Sequence, residues 1–327
     1  MTDDVRQREE PRAAAGQDVP PAGENVEQPT ADGFDATEGI TVESRSQWQL
    51  FRRKFVRHKL AMGSLLFLLV VTFAAFNAEW VAPYEYDEIN VVMRSSAPTL
   101  EQNHFFGTDQ LGRDYFSRVL YGTRTSLIAA GVAGIIAVIV GTTIGAVAGF
   151  YRGWIDSLLM RLTDLVLIIP LLAILLVAAT FFGRGQPFRV AVIIGLLVWV
   201  SLARIVRGVF LSLREKEFVQ AARASGATDL RIIFRHMLPN TVGPIVVNLT
   251  LTLAAVIILE ATLAFLGLGV NPPEPALGLL IEEGRSAMQT QWWLILMPGL
   301  TLVAIALAIN FVGDGLRDAL DPTQRES

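Results

Sequence analysis

The chain has 327 residues, 52% of them hydrophobic and only 18% charged, with a formal net charge of −4. That balance excludes an ordinary soluble domain and points to the bilayer. Cysteine is absent, which excludes a disulfide framework, a thiol nucleophile and a thiolate metal site, and the three histidines (His58, His104, His236) are too scattered to suggest an imidazole metal site.

Residues 1–48 hold eleven acids and four bases, so this part carries −7 and the remainder +3. Residues 1–45 are rich in Pro, Gly, Ala and acid and poor in large apolar residues. Such a segment buries too little surface to offset its ordering entropy, and the sequence predicts a disordered acidic tail. The positive and apolar regions of a signal peptide are not found in it. Next comes SQWQLFRRKFVRHK, residues 46–59, with Trp48, Phe51 and Phe55 at helical spacing among five bases. This is either a basic helix lying on an anionic membrane face or the charged flank of the next span.

Crossing roughly 30 Å of hydrocarbon takes about 20 apolar residues in a helix. Runs at 60–78, 125–150, 165–182 and 292–313 meet this, and 242–270 does so with one acid inside, Glu260. A further run, Val190–Ala203, reaches full length by carrying Arg204 and Arg207 at one end, where arginines can snorkel. The expected fold is therefore an all-α integral membrane protein with six transmembrane helices. Pro170, Pro244 and Pro298 are expected to kink their helices. With a cytoplasmic N-terminus, inner segments hold 16 Lys and Arg and outer segments 7. The bias places both termini and residues 204–235 in the cytoplasm, and loops 80–123 and 271–291 outside. Trp80, Trp292 and Trp293 then lie at the outer interface.

The segment EFVQAARASGATDLRIIFRHMLPN, Glu217 to Asn240, interrupts the apolar runs with two short basic helices. Gly226 can end the first by adopting positive φ. Thr228 or Asp229 can cap the second, whose apolar residues are Leu230, Ile233, Phe234 and Met237, and Pro239 is expected to stop it. Ala221, Ala222 and Gly226 are small, so another surface can come close. The segment is either a surface loop with an amphipathic anchor or a docking element for a cytoplasmic partner.

The pattern Ala221-Ala222-x-x-x-Gly226, with Leu238-Pro239 following, resembles the EAA motif of ABC importer permeases. Gln220 departs from it where Glu is usual, and His236 where the general motif has Ile; RHMLPN is close to the RHILPN form of one subfamily. FGTDQLGRDYFSRVLYGTRTSL (106–127), MRLTDLVLIIP (160–170), LEATLAFLGLGVNPPEPALG (259–278) and GDGLRDALDP (313–322) resemble the peptide/nickel permeases. The N-terminal basic helix and first span resemble the extra module of the C-type subunit. The resemblance covers residues 48–322 and implies a type I ABC importer permease (MetI-like) fold. It implies a tail over 1–45, the interfacial helix and first span over 46–82, an extracytoplasmic loop over 83–123, a permease core over 124–316 with coupling helices at 213–240, and a C-terminal tail over 317–327.

By resemblance, Glu217, Gln220, Ala221, Ala222, Gly226, Asp229, Arg231, Arg235, Leu238 and Pro239 form the coupling element that docks on an ATPase subunit. The implied partners are a homologous B-type permease, two ATPase subunits that carry ATP and Mg²⁺, and an extracytoplasmic substrate-binding protein, within the cytoplasmic membrane of a prokaryote. No cofactor and no nucleic acid are expected on this chain, and no catalytic residue pair or phosphate-cradling glycine loop is found in it.

Several residues are candidates for other roles. Asp164, Arg204 and Arg207, at the inner ends of two spans, are expected to form a helix-pinning ion pair. Glu260 lies eighteen residues above Val242, roughly 27 Å along a helix. With Asn248 and Phe265 it is a candidate for the pathway or a gate, although Glu260 could instead bond the backbone near Gly267 and Gly269 or the partner permease. Asp314 and Arg317 are expected to tie off the last helix. Loop 271–291 is expected to form a short amphipathic helix that contacts the binding protein, gates the outer mouth, or packs on its own bundle. The function expected is ATP-driven peptide import by alternating access. Nickel or another small solute is the alternative cargo, and a stand-alone ion-coupled carrier or channel, or a non-transporting scaffold, is the rival of another class.

Overall fold

The computed structural model describes residues 47–100, 102–182 and 186–320. The tail expected over 1–45 lies outside them. Among the described residues the structure is helical, with one isolated β-bridge between Thr108 and Asp114. Helix α1 (Gln47–Arg57) leads through His58 into α2 (Lys59–Phe76), where His58 Nδ1 accepts from the Ala61 N–H at 3.1 Å. A single turn, α3 (Ala78–Val81), precedes the long loop before α4 (Tyr115–Tyr151). Then follow α5 (Gly153–Ile168), α6 (Leu171–Phe182), α7 (Pro187–Leu213), α8 (Glu217–Ala224), α9 (Asp229–Arg231), α10 (Leu238–Phe265), α11 (Leu277–Gly284) and α12 (Trp293–Leu320).

Five helical runs are long and apolar enough to cross a membrane: α2, α4, α7, the continuous stretch Asp229–Phe265, and α12. The remaining span, expected over 165–182 with a kink at Pro170, is broken there outright. Helices α5 and α6 meet at an angle of 87° across the break. Pro170 has no N–H and disfavours helical backbone at the residue before it, and Ile169 is extended (φ −82°, ψ 129°). With twelve residues, α6 is ~18 Å long and does not cross the hydrocarbon alone. Pro244 and Pro298 sit inside α10 and α12, which continue through them.

Helix α4 begins ten residues before its apolar run, at Tyr115, because Asp114 caps it: Asp114 Oδ2 accepts from the Ser117 N–H and from Ser117 Oγ, each at 2.7 Å. His104 is buried against the same carboxylate, its Nδ1 2.8 Å from Asp114 Oδ1.

Helices α4 and α7 form the centre of the bundle. Gly141, Gly145 and Gly149 stand one turn apart on α4 and face the α7 backbone. An added Cβ would lie 2.8 Å from the Trp199 carbonyl oxygen at Gly141, collide with the Ala203 carbonyl oxygen at Gly145, and lie 2.6 Å from Phe210 Cβ at Gly149. Gly195 of α7 returns the contact 2.9 Å from the Ala133 carbonyl oxygen. In a bilayer, lipid tails are as apolar as leucine, so close backbone approach rather than burial holds helices together. Helix α10 packs on α4 and α12, and α2 on α12.

Candidate coupling surface and transport pathway

Helix α8 ends where Gly226 takes φ +77°. The Gly226 N–H donates to the Arg223 carbonyl (3.0 Å) and the Ala227 N–H to the Ala222 carbonyl (3.1 Å), the paired bonds of a Schellman turn. Thr228 Oγ1 then accepts from the Arg231 N–H at 3.4 Å and starts α9. The second short helix does not stop at Pro239 as expected. It widens into a π segment, Ile232–Met237, and runs without a break into α10. Pro239 directly follows the π segment, whose wider register absorbs its ring and missing N–H.

This corner has an inner and an outer face. Val219, Ile232, Ile233 and Met237 are buried against Phe150, Val206 and Phe210, and Ala222 and Leu238 pack partly on that core. Arg214 Nη1 donates to the Phe150 carbonyl at 2.6 Å, and burial, with repulsion from Arg223 and Arg152, holds its guanidinium below the ordinary value. Arg152 is in turn paired with Glu215 at 2.7 Å. Outward stand Glu217, Gln220, Ala221, Gly226, Asp229, Arg231, Arg235 and Pro239. Between them Phe218 is 43% exposed and Leu230 and Phe234 are each 64% exposed.

The expected ion-pair residues separate into two pairs. Arg204 Nη2 donates to Asp164, and both side chains are about half exposed. Arg207 goes to Asp156, a partner that reasoning from sequence missed, with a two-pronged bond of 2.6 and 2.7 Å. Because Asp156 is far less exposed than Asp164, the two pairs differ in strength. Double-mutant cycles on thermal stability are expected to give at most about 1 kcal/mol of coupling for Asp164 with Arg204. For Asp156 with Arg207 they are expected to give about 1.5–2 kcal/mol, as for a charged hydrogen bond. Equal couplings would contradict this ranking.

The three pathway candidates lie in three different places. Asn248 lines a cavity of about 400 Å³ between the α5–α6 break, α7 and α10, whose other polar residues are Ser201 and Thr252. Glu260 is fully buried, and its Oε2 accepts from Ser126 Oγ of α4 at 2.9 Å. Phe265 is 39% exposed beneath the Arg285 guanidinium, 5.2 Å from the ring centre. Asp314 and Arg317 lie in the last turns of α12, while Asp318 reaches His58 at 3.7 Å.

Apolar spans around an uncharged cavity, with a two-faced corner projecting from one end, define a multi-pass membrane permease subunit. The chain belongs to the binding-protein-dependent transport system inner membrane components, whose family model matches residues 141–326. A second model, the N-terminal TM domain of oligopeptide transport permease C, matches residues 46–98. Oligopeptide transport system permease protein OppC of Haemophilus influenzae is 40% identical over 292 residues, 89% of this chain and 93% of that protein. Glutathione transport system permease protein GsiD of Pectobacterium atrosepticum is 38% identical over 284 residues, 85% of this chain and 92% of that protein. Among solved structures, the MetNI methionine ABC transporter in an inward facing conformation matches 62% of this chain and 97% of its own, at 19% identity and a TM-score of 0.48.

Proposed function

We propose that this chain is the C-type transmembrane subunit of an ATP-driven importer that moves peptides across the cytoplasmic membrane by alternating access. It works beside a B-type permease, two ATPase subunits that bind and hydrolyse ATP with Mg²⁺, and an extracytoplasmic binding protein. The basic loops favour cytoplasmic termini and a cytoplasmic 217–239 corner. The observation that carries the reading is the outer face of that corner. Leu230 and Phe234 stand one turn apart and largely exposed, ringed by Arg231 and Arg235, on an element whose other face is rooted in the bundle. Apolar side chains left outside in this way mark a protein contact. Closure of the ATPases against this rooted corner tilts α7 and α10 and so changes which mouth of the cavity is open. The amide and hydroxyl groups of Asn248, Ser201 and Thr252 suit a peptide backbone; a nickel ion asks for imidazole or thiolate ligands.

The test is co-purification from membranes of the four-subunit complex. The ATPases are expected to follow the wild-type chain and a Gln220→Glu variant. Leu230→Ser combined with Phe234→Ser is expected to keep the second permease and lose the ATPases. ATPases that fail to follow the wild-type chain would overturn the reading.

A further inference from the structure

None of the described residues that line the cavity beside Asn248 carries a charge. A peptide with a free C-terminus brings a carboxylate into it. Stripped of water, that group needs a charged or donating partner. Along the lining helices α5 and α7, the cation closest in sequence to the cavity wall is Arg204. It follows Ser201 by three residues and Leu197 by seven, and both of these line the cavity. Residues three and seven apart share one face of a helix. The other face of α7 is taken up by packing: Leu202, Ala203, Val206 and Phe210 are buried against α4. Ser201, Arg204 and Gly208 are exposed. Nothing lies within 4 Å of a Cβ added at Gly208, one turn beyond Arg204, so this face stays open toward the inner end of α7.

Arg204 is held loosely. Its Nη2 donates to Asp164, and the two side chains are 47% and 56% exposed. Asp164 precedes Leu167, another residue of the cavity wall, by three positions. The pair therefore stands at the inner edge of the cavity. Arg207, one turn further on, is committed in another way, by two bonds to Asp156, whose side chain is 16% exposed. A two-pronged bond to a largely buried carboxylate is strong. A single exposed bond breaks at little cost. If the Asp164–Arg204 pair served only to pin α5 to α7, it would repeat weakly what Asp156 and Arg207 already do.

We propose that Arg204 is a cargo-contacting residue: as a peptide leaves the cavity toward the inner end of α7, the Arg204 guanidinium gives up Asp164 and takes the C-terminal carboxylate of the peptide. This rests on the importer reading above. The exchange replaces one carboxylate by another on the same guanidinium, so it needs no large change in energy, and the released Asp164 is exposed enough to be hydrated. Asn248, Ser201 and Thr252 meet the uncharged backbone in the cavity, and Arg204 meets the charge at its end.

The test compares one peptide in two forms, with a free C-terminal carboxylate and with a C-terminal amide, both chosen to bind the binding protein. The complete importer is reconstituted in vesicles that enclose ATP, and uptake of each labelled form is measured for variant and wild type. Expressing each rate relative to wild type removes any preference of the binding protein. Arg204→Gln is expected to slow uptake of the free acid about tenfold, the scale of a charged hydrogen bond, and to leave uptake of the amide within about twofold of wild type. Arg204→Lys is expected to restore most of the free-acid uptake. Asp164→Asn breaks the same ion pair but leaves the cation, and is expected to keep the free acid moving. Equal slowing of both forms by Arg204→Gln, or slowing of neither, overturns the assignment. So does a selective loss of free-acid uptake in Asp164→Asn as large as that in Arg204→Gln, which would trace the effect to the ion pair itself. Should Arg204→Gln fail to assemble, Arg204→Ala combined with Asp164→Ala removes the cation without leaving a lone acid and carries the same outcomes. A wild-type complex that takes up neither form overturns the importer reading, and the assignment with it.

Discussion

Gly145→Leu is expected to abolish the folded bundle. The Cβ alone would collide with the Ala203 carbonyl oxygen and lie 2.8 Å from Val206 Cβ, both in α7. Neither neighbour is a flexible side-chain end, so the helices must part. Gly141 and Gly149, one turn to either side, would lose their contact with α7 as well. Overpacking by a side chain this large costs about 3 kcal/mol or more. In a membrane, where attraction between helices depends on close approach, little replaces the lost contact. The measurement is the yield of monodisperse complex in detergent and its melting temperature. Gly208→Ala is the control: nothing lies within 4 Å of its added Cβ. That change is expected to be neutral or stabilising by up to about 1 kcal/mol, as for Gly→Ala in an exposed helix. A Gly145→Leu complex that melts like wild type would refute the seam.

Ala221→Trp is expected to uncouple the chain from ATP hydrolysis while leaving it folded. Ala221 is exposed on α8, whereas Ala222, its neighbour in the motif, packs on the core of Val219, Ile232 and Met237. Indole bulk at Ala221 therefore meets only an incoming partner. The loss is set at the scale of an interface hot spot, ~2 kcal/mol, or about thirtyfold in affinity. Peptide-stimulated ATP hydrolysis in reconstituted membranes should fall accordingly, with the melting temperature of the isolated permease pair unchanged. Ala222→Trp should also lose hydrolysis, but with a clear drop in melting temperature, because it unseats α8 from its own core. If Ala221→Trp retains wild-type hydrolysis, the exposed face of α8 is not where the ATPase docks.

The sequence by itself determined the features that act within one helix or one turn. The apolar runs of α2, α4, α7, α10 and α12 are long enough to cross a membrane whatever packs on them. The turn at Gly226 was legible because only glycine takes positive φ without strain. Proline is local only in part. Pro170 breaks its helix, as its missing N–H allows, while Pro239, with the same chemistry, follows a π segment and breaks nothing.

The tertiary structure decided everything that depends on which helix faces which. Arg204 and Arg207 stand one turn apart, and nothing along the chain divides them between Asp164 and Asp156; the crossing of α5 with α7 does. The repeat of Gly141, Gly145 and Gly149 could have signalled a close seam, yet only the position of α7 makes it one. Asn248, Glu260 and Phe265 share one helix and even so face a cavity, a buried serine and an arginine. A helix turns about 100° per residue, so neighbours in sequence point to different surroundings, and what those surroundings are is settled only when the other helices are in place.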